Sequence, residues 1–234
     1  MNAKPAALHL IGSFVATIDG CVLDVKPCEQ RVLAFIALQG RPVSRHLVAG
    51  TLWPELSDER ALRRLRTGMW RCRQEVGTAM VGSSSTNVWL NPWVVVDVAG
   101  LSQRAGSSGD DQSMEIGPGE LAHDLLEDWY DEWLVMERER FRQFRLHTLD
   151  LLCERLIDQS RYSEALEAGL IAVAAEPLRE SAHRLIVRAH RREGNLTEAL
   201  RTYYAYRDML RTELGIDPSP SMDVLIADLV VTST

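Results

Sequence analysis

The feature that most constrains this chain is a recurrence in its second half. Tyr162-Ser163-Glu164-Ala165-Leu166 returns as Leu196-Thr197-Glu198-Ala199-Leu200, 34 positions later. That is the period of tetratricopeptide repeats, in which a pair of helices cannot bury its apolar face alone and must stack on a neighbouring pair. The small residues Ala165 and Ala199 fall where two helices of one unit touch. Pro177, 12 residues after Ala165, closes the first unit. A further helix is predicted through Asp128-Trp129-Tyr130-Asp131-Glu132-Trp133 and the residues after it, so that about three helical hairpins stack. Trp129 and Trp133, at i and i+4, would share a core-facing stripe of that helix. An acidic aromatic docking patch is the competing reading of the same six residues. His183 and His190 share a helical face but have no third ligand near in sequence, so no metal site is expected.

Ahead of the repeats, residues 103–120 are rich in Gly, Ser and Asp and lack hydrophobic period, which reads as a linker. The reading gives three parts: residues 1–102, a linker at 103–119, and residues 120–234. The first part begins with two β-rich runs between Leu8 and Val25, separated by Asp19-Gly20, a dipeptide suited to the positive φ angles of a tight hairpin turn. Three helices are predicted next, over Glu29–Gln39, Ser44–Leu52 and Asp58–Val76. They are separated by Gly40-Arg41-Pro42 and Trp53-Pro54-Glu55, each with a helix-breaking proline. Ser44 is the expected N-cap of the second helix, and Asp58 or Ser57 of the third. Residues Asn87 to Asp97 return to β-branched and aromatic types around an Asn-Pro turn, predicting a second hairpin. This order is the layout of a winged helix-turn-helix. The expected fold class is therefore mostly α with a small β component: an α+β winged helix-turn-helix followed by an all-α tetratricopeptide-like repeat domain.

The third predicted helix carries the candidate site. Leu62, Leu65, Met69, Cys72 and Val76 form one apolar stripe at spacings of three and four. Arg60, Arg63, Arg64, Thr67, Arg71 and Gln74 share another face, flanked by Arg66 and Arg73. A major groove admits a helix, and guanidinium groups donate bidentately to guanine or to phosphate oxygens. Arg63, Arg64, Thr67 and Arg71 are the candidates in or near the groove. Arg45, Arg60 and Arg73 are candidates for backbone phosphates, and Arg66 is included in the same face. A wing tip at Ser83-Ser84-Ser85-Thr86-Asn87 offers small donors to the minor groove, Asn87 among them, but no arginine. Trp53 and Trp70 could serve as base-stacking residues, but a Trp at the end of a short helix is more often core, and Trp53 is expected there.

Charge supports that placement. The net charge of −7 hides an asymmetry: residues 1–100 carry +3, residues 101–119 carry −2, and residues 120–234 carry −8. Residues 41–76 hold eight arginines against four acids. A basic face beside an acidic half fits nucleic acid on one side and protein on the other. Arginine outnumbers lysine 24 to 2, which codon usage in a GC-rich genome would also produce.

Other classes find little support. No apolar run approaches the roughly 20 residues of a membrane helix, so a cytoplasmic, nucleoid-associated protein without membrane contact is expected. The four cysteines Cys21, Cys28, Cys72 and Cys153 are scattered, without ligand spacing, and read as reduced packing residues. No nucleophile–base pair, carboxylate pair or metal cluster stands out, so neither catalysis nor a cofactor is expected.

Several segments resemble the actinobacterial (Streptomyces) antibiotic regulatory proteins, the SARPs. They are Trp129 to Gln143, Arg161 to Leu166, Pro177-Leu-Arg-Glu-Ser-Ala-His183 and Glu213-Leu-Gly-Ile-Asp-Pro-Ser-Pro220. In the first half, Gly40 to Arg45, Leu52-Trp-Pro54 and Ala61-x-x-x-Leu-Arg-Thr-x-Met-Trp-Arg71 are similar to that family's OmpR-like DNA-binding domain. The second half is similar to its bacterial transcriptional activator domain. The resemblance implies an activator that binds direct repeats in double-stranded promoter DNA, as a homodimer on DNA, and contacts RNA polymerase holoenzyme including its sigma factor. Unlike larger members, this sequence has no nucleotide-binding or phosphopeptide-binding module and no receiver domain, so an input signal is not visible. The competing reading is a tetratricopeptide-type interaction scaffold whose winged helix is vestigial.

Overall fold

A computed structural model describes residues 5–75, 80–106 and 116–227. The chain separates into two compact units, residues 1–115 with 123–139, and residues 116–122 with 140–234. The units therefore interleave along the sequence, and no single cut at the glycine-rich stretch separates them. No helix among the described residues is long and apolar enough to cross a membrane.

The first unit opens with β1 (Ala6–His9), β2 (Val15–Ile18) and β3 (Cys21–Val22), antiparallel in succession. Asp19 (φ 55°) and Gly20 (φ 76°) make the tight turn, and it joins β2 to β3. Helix α1 (Pro27–Gln39) has proline at its start and ends on Gly40, whose φ of 60° closes the last turn with a bond to the Ala37 carbonyl. A two-residue strand, β4 (Val43–Ser44), leads into α2 (Arg45–Leu52). Ser44 caps α2 by accepting a hydrogen bond from the Leu47 amide. Residues 53–57 turn the chain into α3 (Asp58–Glu75), where the Ser57 carbonyl accepts from the Ala61 amide. The predicted stripe residue Val76 and linker positions 107–115 lie outside the described residues.

The Asn-Pro turn does not make the predicted hairpin. Strand β6 (Asn87–Leu90) pairs with β5 (Val81–Ser83) and β4, in the order β4-β6-β5. Strand β7 (Val94–Val96) instead runs parallel to β1 at the edge of the first sheet. Asn91-Pro92 thus carries the chain from one sheet to the other. Helix α4 (Asp97–Gly106) follows at once, taking in part of the predicted linker. Asp97 fixes this crossing: its carboxylate accepts the amides of Leu10, Ile11 and Val98 at 2.8–3.0 Å.

Residues 128–133 are not helical, contrary to expectation. Trp129 and Trp133 nevertheless pack inward within the first unit. Trp129 stacks on Phe14 at 6.0 Å, and Trp133 meets Phe35 edge-on at 5.2 Å. The backbone is held by extended pairing: Gly12 donates to Asp124, Leu126 to Leu10 and Glu127 to Gly12. Asp131 pairs with Arg31 of α1. An i, i+4 aromatic pair has the helical spacing, but residues 124–127 are tied to Leu10 and Gly12, and turns closed by Trp129 to Leu126 and Leu134 to Asp131 follow before the helix begins.

The second unit contains most of α5 (Leu134–Asp158), then α6 (Tyr162–Ala175), α7 (Glu180–Glu193), α8 (Leu196–Leu214) and the short α9 (Pro220–Val224). Helices α6 and α8 start at the two copies of the recurrent pentapeptide, and Ala165 and Ala199 are fully buried. Among the described residues two full helix pairs are formed, followed by α9, where about three were expected. Close approach of α6 to α7 rests on Gly169, where a Cβ would come within 2.6 Å of Ile186.

The two motifs singled out in the sequence meet in this unit. In Pro177–His183, Arg179 and Ser181 both reach Asp150 of α5 (2.7 and 2.8 Å). His183 bonds the Pro177 carbonyl at 2.9 Å and stacks on Tyr206 at 4.2 Å. Burial lowers the His183 pKa below the ordinary imidazole value, against the opposing pull of that carbonyl. From the other motif, the Ser219 amide donates to Glu180 (2.9 Å) and Asp217 pairs with Arg211 (2.6 Å). These residues are motif-like because they join helix ends to one another. Tyr203, Tyr206, Leu210, Met222 and Ile226 form the adjoining core.

Candidate nucleic-acid interface

Helix α3 buries Ala61, Leu65, Gly68, Met69 and Cys72, while Leu62 is half-buried. At about 100° per residue, the centre of the opposite face is the row Arg63, Thr67, Trp70 and Gln74. All four are exposed. Arg60, Arg64 and Arg71 form a second row on one flank of this ridge, and Arg66 and Arg73 a third on the other. The sequence reading named Trp70 only as a residue that could stack on bases; the helix puts it in the central row, with Arg66 and Arg73 as its i−4 and i+3 neighbours.

The flanks differ in what holds them. On one side, Arg64 lies over the ring of buried Trp53 at 5.5 Å, a cation–π contact that anchors the stem. Arg71 stands 3.6 Å from Glu29 of α1, a carboxylate only 1% exposed with no hydrogen-bond donor on either oxygen. Arg71 therefore serves the fold as well as the surface. Arg60 is exposed, and no acid pairs with it among the described residues.

On the other side the arginines converge on the wing. Arg45, at the start of α2, donates through Nε to the Ser84 carbonyl at 3.0 Å, and its amide donates to the Thr86 carbonyl at 2.8 Å. Arg73 donates to the Ser83 hydroxyl. Partial burial, then the charges of Arg73 and Arg66, lower the Arg45 pKa. Among the described residues no acid pairs with Arg45, Arg66 or Arg73. The wing itself is a tight turn in which the Ser84 hydroxyl accepts the Asn87 amide at 3.0 Å, and Asn87 is half-buried and paired with Ser44 in the sheet. Gly82 is required in this hairpin because the Trp89 indole lies across it, leaving no room for a Cβ.

On the ridge, Arg63 pairs with Glu59 one turn earlier at 2.7 Å, and the Thr67 hydroxyl donates to the Arg63 carbonyl at 3.2 Å. An exposed i, i+4 pair is weak and can be exchanged for a stronger anion. Among the described residues no cluster of three or more His, Cys, Asp or Glu side chains could hold a metal.

The first unit carries a basic helix-and-wing surface, and the second is a stack of helices. Residues 118–229 match the model of the bacterial transcriptional activator domain. The chain is 28% identical over 234 residues to the regulatory protein AfsR of Streptomyces coelicolor, and 26% identical over 211 residues to that of Streptomyces griseus. Those matches cover 92% and 83% of this chain but only 23% and 21% of the relatives' lengths. A solved structure of Mycobacterium tuberculosis EmbR, in complex with a low affinity phosphopeptide, superposes with a TM-score of 0.75 at 20% identity. It covers 99% of this chain and 66% of that one. The likeness supports the fold class: an N-terminal winged helix-turn-helix and a helical domain. The chain is thus similar over residues 118–229 to bacterial transcriptional activator domains, and over most of its length to a part of these regulatory proteins.

Proposed function

We propose that this chain binds double-stranded promoter DNA with α3 in the major groove and the β5–β6 wing at the adjacent backbone, and activates transcription by contacting RNA polymerase holoenzyme. The single observation that carries this reading is the arrangement of α3. Its outward ridge is bordered on both sides by arginines, and one border is joined by Arg45 and the wing. Such spacing presents cations to phosphates on both walls of a groove while the ridge faces base edges. Activation accords with the activator-domain match; sigma-factor contact and pairing of two copies on direct repeats are what the resemblance to the antibiotic regulatory proteins implies. The helical second unit is the part that would take the polymerase.

The test is binding to duplexes drawn from promoters near the chain's own gene, across a salt series. Several phosphate contacts give a log–log slope of about −0.9 per phosphate neutralised. Arg66→Ala should shallow that slope by about one phosphate's worth while leaving the fold intact. A flat slope with no retarded complex overturns the reading. Full regulation in cells by an Arg63→Ala, Arg66→Ala variant would instead establish the helical unit as a scaffold working without DNA contact.

A further inference from the structure

Trp70 is 61% exposed, although an indole is among the residues most strongly driven out of water. It lies at the centre of the outward face of α3, not at an edge where body residues could cover it. No ring among the described residues stacks on it, and its helical neighbours at i−4 and i+3 are Arg66 and Arg73. Of its companions on the ridge, Arg63 is engaged with Glu59 and the Thr67 hydroxyl with the helix backbone, while Gln74 is smaller than the indole. The largest unengaged group at the ridge is therefore apolar, and it is surrounded by cations.

That combination selects the partner. A purely apolar protein surface would be repelled by the desolvation of the flanking guanidinium groups. A purely anionic surface would leave the indole unused. The major groove of DNA presents both features, phosphates on its walls and the C5 methyl groups of thymine on its floor. With the flanking arginines on the walls, the ridge at Trp70 reaches the floor.

The geometry points to Trp70 as a sequence-reading residue, whose indole packs against thymine methyl groups in the major groove while Arg66 and Arg73 hold the adjoining phosphates. The inference rests on the DNA-binding reading above and adds a specificity that arginine contacts do not supply. It predicts a preference for thymine at positions facing the second half of α3.

The test uses the full chain and a duplex recovered by selection from a randomised pool. Each thymine of that duplex is replaced in turn by uracil, which removes only the C5 methyl. Affinities are then measured at fixed salt for the native chain, Trp70→Ala and Trp70→Phe. At one or two positions uracil should weaken native binding roughly fourfold, the worth of one buried methyl. Trp70→Ala should bind more weakly overall, be indifferent to uracil at those positions, and keep the native salt slope. Trp70→Phe should retain part of the methyl sensitivity. Far-ultraviolet circular dichroism confirms that each variant is folded; the exposure of Trp70 makes folding failure of Trp70→Phe unexpected. Uracil tolerated everywhere, or methyl sensitivity that survives in Trp70→Ala, overturns the inference while leaving DNA binding intact. Failure to recover any duplex overturns the DNA reading and this one with it.

Discussion

Replacing Arg71 by alanine removes the cation facing the buried carboxylate of Glu29, and the loss should appear in stability before it appears in DNA binding. The guanidinium is 3.6 Å from Glu29 Oε1, and neither Glu29 oxygen has a hydrogen-bond donor. At that separation a unit charge pair is worth about 1 kcal/mol in water and about 5 kcal/mol at an effective dielectric of 20. Arg71 is 48% exposed, so solvent screens its side of the pair and a value of about 1–3 kcal/mol is expected. All six tryptophans lie within the first unit, so tryptophan fluorescence reports that unit alone during urea unfolding. With a slope near 2 kcal/mol/M, the midpoint of Arg71→Ala should fall by about 0.5–1.5 M. Adding Glu29→Met removes the stranded carboxylate at similar volume and should recover most of the loss. An unchanged midpoint for Arg71→Ala would refute the reasoning, as would strictly additive losses in the double variant. The comparison also guards against an error of interpretation, because reduced DNA binding by Arg71→Ala alone would mix a lost contact with a weakened fold.

Gly82→Ala should strain the wing against the Trp89 indole, costing about 1–3 kcal/mol in the same fluorescence assay and weakening DNA binding beyond that cost. Acidification should destabilise the second unit: folded His183 holds its proton less tightly than the unfolded chain, so stability falls as pH drops through and below the ordinary imidazole value of about 6.5. Urea melts followed by helical dichroism should lose less stability between neutral and acid pH in His183→Gln than in the native chain. The Cys153 thiol is pushed up to about 12 by burial and by Asp150, and sits 3.2 Å from the Ala165 carbonyl. It should resist alkylation at neutral pH until the unit unfolds, whereas exposed Cys21 reacts at once. Gly169→Ala should destabilise through Ile186 despite alanine's better helix propensity, and Ile186→Ala should relieve that clash in the double variant.

What could be read in advance was local or periodic. The 34-residue recurrence places the starts of α6 and α8, Ser44 caps α2 as its hydroxyl allows, and Asp19-Gly20 adopts the positive φ angles that its residue types permit. What could not be read depends on partners distant in sequence. Strand β7 resembles the second arm of a hairpin, but its hydrogen bonds go to β1, and the Asp97 carboxylate secures that choice from across the unit. Trp129 and Trp133 have helical spacing, yet Leu10 and Gly12 bond residues 124, 126 and 127 just ahead of them, and the chain reaches the tryptophans through turns. In the candidate site, residue type led to the arginines, and only the buried face of α3 shows which row is outermost. Arg71 illustrates the limit: its sequence position marks it for the groove, whereas the structure ties it to Glu29.

The interleaving of the two units bears on how this chain can be divided. The stretch matching the activator domain begins at residue 118, yet residues 123–139 within it are built into the winged-helix unit through Phe14, Phe35 and Arg31. A fragment ending at residue 119 would leave those rings bare and the Leu10 and Gly12 main-chain groups without their partners. The stretch that matches the activator domain is thus not coextensive with one compact unit. A graft of the activator segment onto a foreign DNA-binding domain would carry a tail shaped for a host it no longer has, so the smallest faithful exchange includes both surfaces of that seam.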